Sequence, residues 1–289
     1  MTGAMKTGIF FHEIFKRNLP VIGDKYQNFS QILNQFEGNG NIVFYTLRPV
    51  SEELLLQVHA KEMLEGVKNY SGYEAALYAA DGCVQALERM WTGEIDNAML
   101  YYGSCHHASR NSAWGGCSIS GCGVAIANLR QKFGRRRFAV LDTDSHHGDG
   151  AREIFMGDRD ILHVCFCDYD SIEDGGTKID IATGWHESDE EYLRKVEENF
   201  IPRVSEFKPD MIIHHLGHDT AQGDYGDRGL SKDFFVKLAR LLKGCADEFC
   251  QGRYLAMTGG GARQDIAEYI YPRTIRVLVG EEPTAEGSA

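Results

Sequence analysis

FAVLDTDSHHGDG, residues 138–150, opens as a continuous apolar run and then sets Asp142, Asp144, His146, His147 and Asp149 close together. The apolar part reads as a buried strand. Ionisable groups at the end of a buried strand are costly unless they are paired or bind something. The stretch therefore predicts a covered sheet with a site at the carboxyl end of one of its strands.

The rest of the chain follows the same layout. Further β-rich runs lie at Ile42–Leu47, Ala98–Tyr102, Ile161–Phe166, Met211–Leu216, Tyr254–Met257 and Ile275–Val279. They alternate with helix-like stretches near 51–67, 73–92, 119–131, 188–206, 231–249 and 263–270. Ser51-Glu52-Glu53 and Ser188-Asp189-Glu190-Glu191 carry a capping hydroxyl followed by acids, as a helix start does. Apolar strands between amphipathic helices predict a mostly parallel α/β sheet. Without repeats or a long Pro/Gly/Ser linker, residues 1–289 read as one domain.

In such sheets ligands bind beyond the carboxyl ends of the strands. Four runs deliver polar clusters there: Ala98–Tyr102 leads to GSCHHASR, Phe138–Leu141 to DTDSHHGDG, Met211–Leu216 to GHDTAQGD and Tyr254–Met257 to TGGGAR. Asp144 and His146 are two apart and point the same way in an extended segment. With Asp219 from another strand end they make an open metal site. Two carboxylates and one imidazole suit Zn²⁺, and Fe²⁺ or Co²⁺ fit the same donors. The competing reading, in which Asp144 and Asp219 merely cap helices, leaves His146 without a purpose. His106 and His107 offer an acid and a base, and Asp142 and Asp149 are spare carboxylates to orient them. Of the other histidines, His147 reads as a hydrogen-bonded neighbour, while His12, His59, His163 and His186 fall outside the clusters. His214 and His215 read as core or supporting groups, and His218, beside Asp219, is harder to set aside.

Composition limits the partners. A net charge of −12 opposes sequence-independent nucleic-acid binding. The basic run 131–137 reads as a solvated helix end. No apolar stretch is long enough to span a membrane, and the amino terminus does not resemble a signal peptide. Eight cysteines without a CxxC pair read as reduced thiols of a cytoplasmic protein. The tail GEEPTAEGSA is expected to fray. Homo-oligomer formation is left open.

With these motifs assembled, the chain resembles the zinc-dependent histone deacetylase family, which includes bacterial acetylpolyamine amidohydrolases and deacetylase-like amidohydrolases. CHHAS resembles the family's G-H-H-A, DTDSHHGDG its D-x-D-x-H-H-G-[ND]-G, LGHDTAQGD its A-[GA]-[FA]-D segment, and TGGGA most of its G-G-G-Y loop. LLQVHAKEMLEGV, SGYEAALYAADGCVQA and GCSISGCGVAIA are similar to its early segments and helices. The resemblance implies an arginase/deacetylase-type three-layer α/β sandwich with one mostly parallel sheet and helices on both faces. It implies metal ligation by Asp144, His146 and Asp219, with His106 and His107 as the acid/base pair backed by Asp142 and Asp149. It also implies a potassium ion near Asp142, Asp144 and the His146 backbone.

Departures fall on the walls of the site. The tunnel phenylalanine of the family's G-F-C is Gly116, the residues before the tandem histidines are Ser104 and Cys105, and the G-G-G-Y tyrosine is Ala262. Gly116 predicts a wider pocket, lined also by Gly260 and Gly261. Two residues can replace the lost hydroxyl, Arg263 and Tyr225, and Tyr225 is the preferred one. The expected activity is hydrolysis of an acylated amine, other than standard acetyl-lysine, by metal-activated water. The alternatives are a binuclear manganese ureohydrolase and a metal-binding pseudoenzyme or sensor. Against the ureohydrolase, the position two after Asp219 is Ala221, which cannot bridge a second ion.

Overall fold

Strands β1 (Thr7–Phe10), β2 (Ile42–Tyr45), β3 (Asn97–Leu100), β4 (Phe138–Asp142), β5 (Ile161–Cys167), β6 (Ser171–Glu173), β7 (Lys178–Ala182), β8 (Met211–Leu216) and β9 (Tyr254–Thr258) form one sheet. Their order is β2-β1-β3-β9-β8-β4-β5-β7-β6, and only the β6–β7 pair is antiparallel. The computed structural model describes residues 5–103 and 105–281. Ser104 and the tail beyond Glu281, two places where the sequence raised expectations, lie outside the described residues.

The central strands β3, β4, β5, β8 and β9 are buried at every position, which is why their sequences are apolar without alternation. Helices cover both faces: α1 (Phe29–Leu33), α2 (Glu52–Leu55), α3 (Lys61–Val67), α4 (Tyr73–Thr92), α5 (Gly121–Phe133), α6 (Asp149–Phe155), α7 (Asp189–Asn199), α8 (Ile201–Phe207), α9 (Lys232–Phe249) and α10 (Gln264–Val279). The long helices pair, α4 with α5 and α9 with α10. Both expected caps form. Ser51 accepts from the Leu54 N–H, and Ser188 and Glu191 make a reciprocal capping box. The basic run after α5 is held by ion pairs and rings: Arg135 meets Asp160, while Arg136 and Arg137 lie over Trp91 and Phe207.

One predicted strand is wrong. Ile275–Val279 is the last turn and a half of α10, not a strand. Pro272 in the sequence signals a helix stop, yet the helix continues through it. Buried Ile266, Ile270, Thr274 and Leu278 recur every four residues, and Gly280, with φ 84°, ends the helix. Tertiary burial outweighs both the proline and the β-branched run. Strands β1, β6 and β7 and helices α1 and α6 were not anticipated, and the stretches 51–67 and 188–206 each divide into two helices.

Candidate metal centre and imidazole pair

The four polar clusters leave β3, β9, β8 and β4, which are neighbours in the sheet, so all reach one edge. Asp142 closes β4, and Asp144, Ser145 and His146 follow directly. Asp219 arrives three residues after β8. His146 Nδ1 lies 2.9 Å from Asp144 Oδ1 and 3.2 Å from Asp219 Oδ2. Ligands bonded to zinc at about 2.0–2.2 Å in a tetrahedron stand roughly 3.3–3.6 Å apart, so these donors converge at nearly the spacing required.

The electrostatics of the three groups also fit a cation. Burial and the neighbouring Asp144 charge raise the Asp219 carboxyl to about 7. Hydrogen bonds to Asp144 and Asp219 raise the His146 imidazole to about 10, because its proton takes the place of a positive charge between them. Asp144 is fully buried, and His106 and His146 nevertheless hold its carboxyl well below the usual range. Backbone donors fix the outer oxygens. The Gly260 N–H bonds Asp144 Oδ2 at 3.2 Å, and the Ser145 N–H and hydroxyl both bond Asp219.

Beside the donors stand the tandem histidines. His106 Nδ1 is 2.7 Å from Asp142 Oδ2, and His107 Nδ1 is 2.6 Å from Asp149 Oδ1. Each carboxylate thus holds the Nδ1–H tautomer and leaves Nε2 free. His106 Nε2 stands 3.7 Å from Asp144 Oδ1. The rings lie 4.1 Å apart, so a loop does turn both the same way. Burial lowers the His106 pKa, but the charges of Asp142 and Asp144 outweigh it and raise it to about 10. Burial and the charge of His106 lower His107 to about 4. The two neighbouring imidazoles are thus shifted in opposite directions. The pair depends on Gly150 at the start of α6, where a Cβ would sit 2.5 Å from the His107 carbonyl carbon.

Tyr225 reaches the same place from the loop after Asp219. Its hydroxyl accepts the Gly261 N–H at 2.9 Å, and its ring lies 6.0 Å from that of His146. Burial, then the charges of Asp219 and Asp144, push the phenol far above its ordinary value. It stays protonated. Arg263 instead bonds Asp265 and the Gln222 carbonyl on the surface. At Ala262 the backbone N–H bonds Asp224, which also takes the Arg263 N–H.

Two supporting groups escaped the sequence reading. Fully buried Lys25 donates to the carbonyls of Gly259, Gly260 and Gly261 at 2.5, 3.2 and 2.8 Å, holding the glycine loop from behind. Burial lowers its ammonium to about 7 despite nearby Asp224 and Asp219. Trp114 stacks on His107 at 3.8 Å and donates its indole N–H to Asp149 Oδ2 at 2.8 Å. Neither carries a local signal beyond its residue type, since the partners are remote in sequence.

A cleft of about 240 Å³ joins these groups, with Val21, Tyr102, Trp114, Gly116, Tyr225 and Gly260 among its walls. Gly261 faces the His218 ring instead and reaches the cleft only through Tyr225. Gly116 lines the cleft beside the loop at residues 20–21. A Cβ there, at φ 79°, would lie 3.0 Å from Val21 Cγ2 and 3.1 Å from the Pro20 oxygen, so the 20–21 loop fills the space. Val21 itself is held at φ 68°, a strained setting for a β-branched residue. Three other histidines make structural hydrogen bonds: His59 bridges the Ser109 carbonyl and Ser120 N–H, His214 joins Thr143 to Tyr254, and His218 bonds Tyr271.

The architecture is the arginase/deacetylase-type α/β sandwich. The crystal structure of the HDA15 HD domain matches it with a TM-score of 0.82 at 22% identity, over 97% of this chain and 91% of that one. Residues 20–278 match the histone deacetylase domain, and the chain belongs to that family. A histone deacetylase-like amidohydrolase of Pseudomonas aeruginosa is 28% identical over 266 residues, covering 80% of this chain and 69% of the relative. The polyamine deacetylase HDAC10 of Homo sapiens is 26% identical over 254 residues, or 78% of this chain but only 37% of that protein.

Proposed function

We propose that the chain is a metal-dependent amidohydrolase that removes a short acyl group from a small amine, within one catalytic domain. The observation that carries this reading is the placement of two carboxylate-backed imidazoles beside the Asp144, His146 and Asp219 donors. A divalent ion held by those three residues would polarise the amide carbonyl and acidify a water molecule. His106 and His107 present free Nε2 atoms on that side, so one takes the water's proton and the pair returns a proton to the departing amine. The Tyr225 hydroxyl donates toward the carbonyl oxygen as charge develops on it. Trp114, Val21 and the glycine loop orient the acyl group and limit water in the cleft.

Zinc as the resident ion, Fe²⁺ or Co²⁺ as substitutes, and a potassium ion beside Asp142, Asp144 and the His146 backbone belong to this reading. So does a small acylated amine in preference to protein acetyl-lysine. The altered tunnel residue, the missing G-G-G-Y tyrosine and similarity to an amidohydrolase and a polyamine deacetylase support that choice. Eight free, buried thiols favour a reducing compartment such as the cytoplasm. Among the described residues no helix is long and apolar enough to cross a membrane.

The donor group contains three residues, and Ala221 occupies the place of a bridging acid, which favours one catalytic ion over a binuclear manganese centre. A screen of N-acylated amines with zinc-loaded protein tests the reading. Asp144→Ala is expected to lose the catalytic ion and hydrolysis together. Full hydrolysis by Asp144→Ala, or guanidine hydrolysis with paired manganese ions, would overturn it.

A further inference from the structure

His146 and His147 are consecutive but serve opposite sides of their loop. His146 turns to Asp144 and Asp219, whereas His147 turns to β5 and β7. Cys165 and Cys167 are two apart on β5 and so share a face. Asp180, on β7, is the register partner of Cys165. His147 Nδ1 lies 3.2 Å from Asp180 Oδ1 and 3.8 Å from Cys167 Sγ. One donor atom from each of the four residues lies within 4.8 Å of all the others.

We propose that His147, Cys165, Cys167 and Asp180 form a second, structural zinc site, separate from the one holding Asp144, His146 and Asp219. Bonds of about 2.3 Å to sulfur and 2.0–2.2 Å to nitrogen and oxygen place tetrahedral ligands roughly 3.3–3.8 Å apart. The two separations from His147, 3.2 and 3.8 Å, match this spacing, and the remaining donor pairs lie within 4.8 Å. Two thiolates select zinc over magnesium or calcium, which prefer oxygen donors.

The surroundings complete the charge balance. Arg152, itself buried, bonds Asp180 through both guanidinium nitrogens at 2.8 and 2.7 Å. Two thiolates and a carboxylate against a dication and a guanidinium sum to zero, the condition for burying so many charges. The Gly148 N–H points at Cys165 Sγ at 3.5 Å, and the Ser171 hydroxyl bonds Asp180, as outer groups around a metal do. The Arg152–Asp180 pair alone explains neither thiol nor imidazole at this point. Half-buried His147, beside exposed Tyr169 at 5.3 Å, leaves a path for entry. An ion here ties the His146–His147 loop to β5 and β7, fixing the catalytic loop from its far side.

Cobalt(II) binding to metal-stripped, reduced protein tests the site. The Asp144, His146 and Asp219 set contains no sulfur, so a thiolate-to-cobalt charge-transfer band reports only the second site. Wild-type protein is expected to show the band, and Asp144→Ala to keep it, saturating at one equivalent once the sulfur-free site is removed. Cys165→Ser, Cys167→Ser and His147→Gln are expected to weaken or abolish it and to lower zinc content in purified protein by one equivalent. Absence of the band in wild-type protein overturns the proposal without any variant having to fold. Persistence of the full band in Cys167→Ser overturns it as well.

Discussion

Tyr225→Phe deletes one hydroxyl and keeps the ring. In the native site that hydroxyl accepts the Gly261 N–H at 2.9 Å, which fixes the oxygen and leaves its own proton to donate into the cleft. Burial and the Asp219 and Asp144 charges keep the phenol protonated, so it is a donor throughout the neutral range. Removing one oxyanion donor costs about 10²–10³ in rate, or roughly 2.7–4 kcal/mol. The residue is 45% exposed, which weakens the hydrogen bond and puts the expected loss near the lower end, about 10²-fold in kcat. Leaving the Gly261 N–H without its acceptor should cost about 1 kcal/mol of stability as well. Steady-state hydrolysis of an N-acetylated amine by zinc-loaded enzyme, with metal analysis on the same samples, reads both quantities. The expected result is a large fall in kcat, little change in KM and unchanged metal content. A fall of less than about threefold with full metal occupancy would refute the assignment and place the oxyanion against another group.

Lys25→Met leaves three buried carbonyls of the glycine loop without their ammonium, and should destabilise the fold by about 1–3 kcal/mol in urea titration. A loss below about 1 kcal/mol would mean the loop holds itself. His59 is buried as the neutral ring, and burial lowers its pKa below the ordinary value. The unfolded chain therefore binds the extra proton, so this contribution is present above about pH 6.5 and is lost as pH falls through the folded value. His59→Gln should flatten the acid side of the melting-temperature profile, and an unchanged slope would contradict the assignment. Val21→Ala trims the wall opposite Gly116 and should raise the propionyl-to-acetyl ratio of kcat/KM about tenfold, the worth of roughly one methylene. An unchanged ratio would place the acyl group elsewhere in the cleft.

Most of the candidate metal donors and the imidazole pair could be read from sequence because their spacing is local. Asp144 and His146 sit two apart on an extended segment, His106 and His107 are adjacent, and both follow apolar strands whose carboxyl ends share an edge. The Asp142 and Asp149 partnerships were assigned from the resemblance and recur in the hydrogen bonds. The 275–279 segment misled because four apolar residues around Arg276 do not distinguish a buried strand from a helix end. Only packing against α9 resolves it.

From its sequence alone this protein is an α/β chain of the deacetylase type with two carboxylates and an imidazole proposed as metal donors, and a histidine pair, at one sheet edge. These are properties of short segments, where periodicity and chemistry coincide. The shape of the cleft was decided by contacts between distant segments: Pro20 and Val21 against Gly116, Trp114 over His107, Lys25 behind the glycine loop, and Tyr225 on the Gly261 N–H. The same holds for the convergence of His147, Cys165, Cys167 and Asp180. None of these meetings leaves a mark in local sequence, because burial and charge balance act between residues that the chain brings together only when it folds.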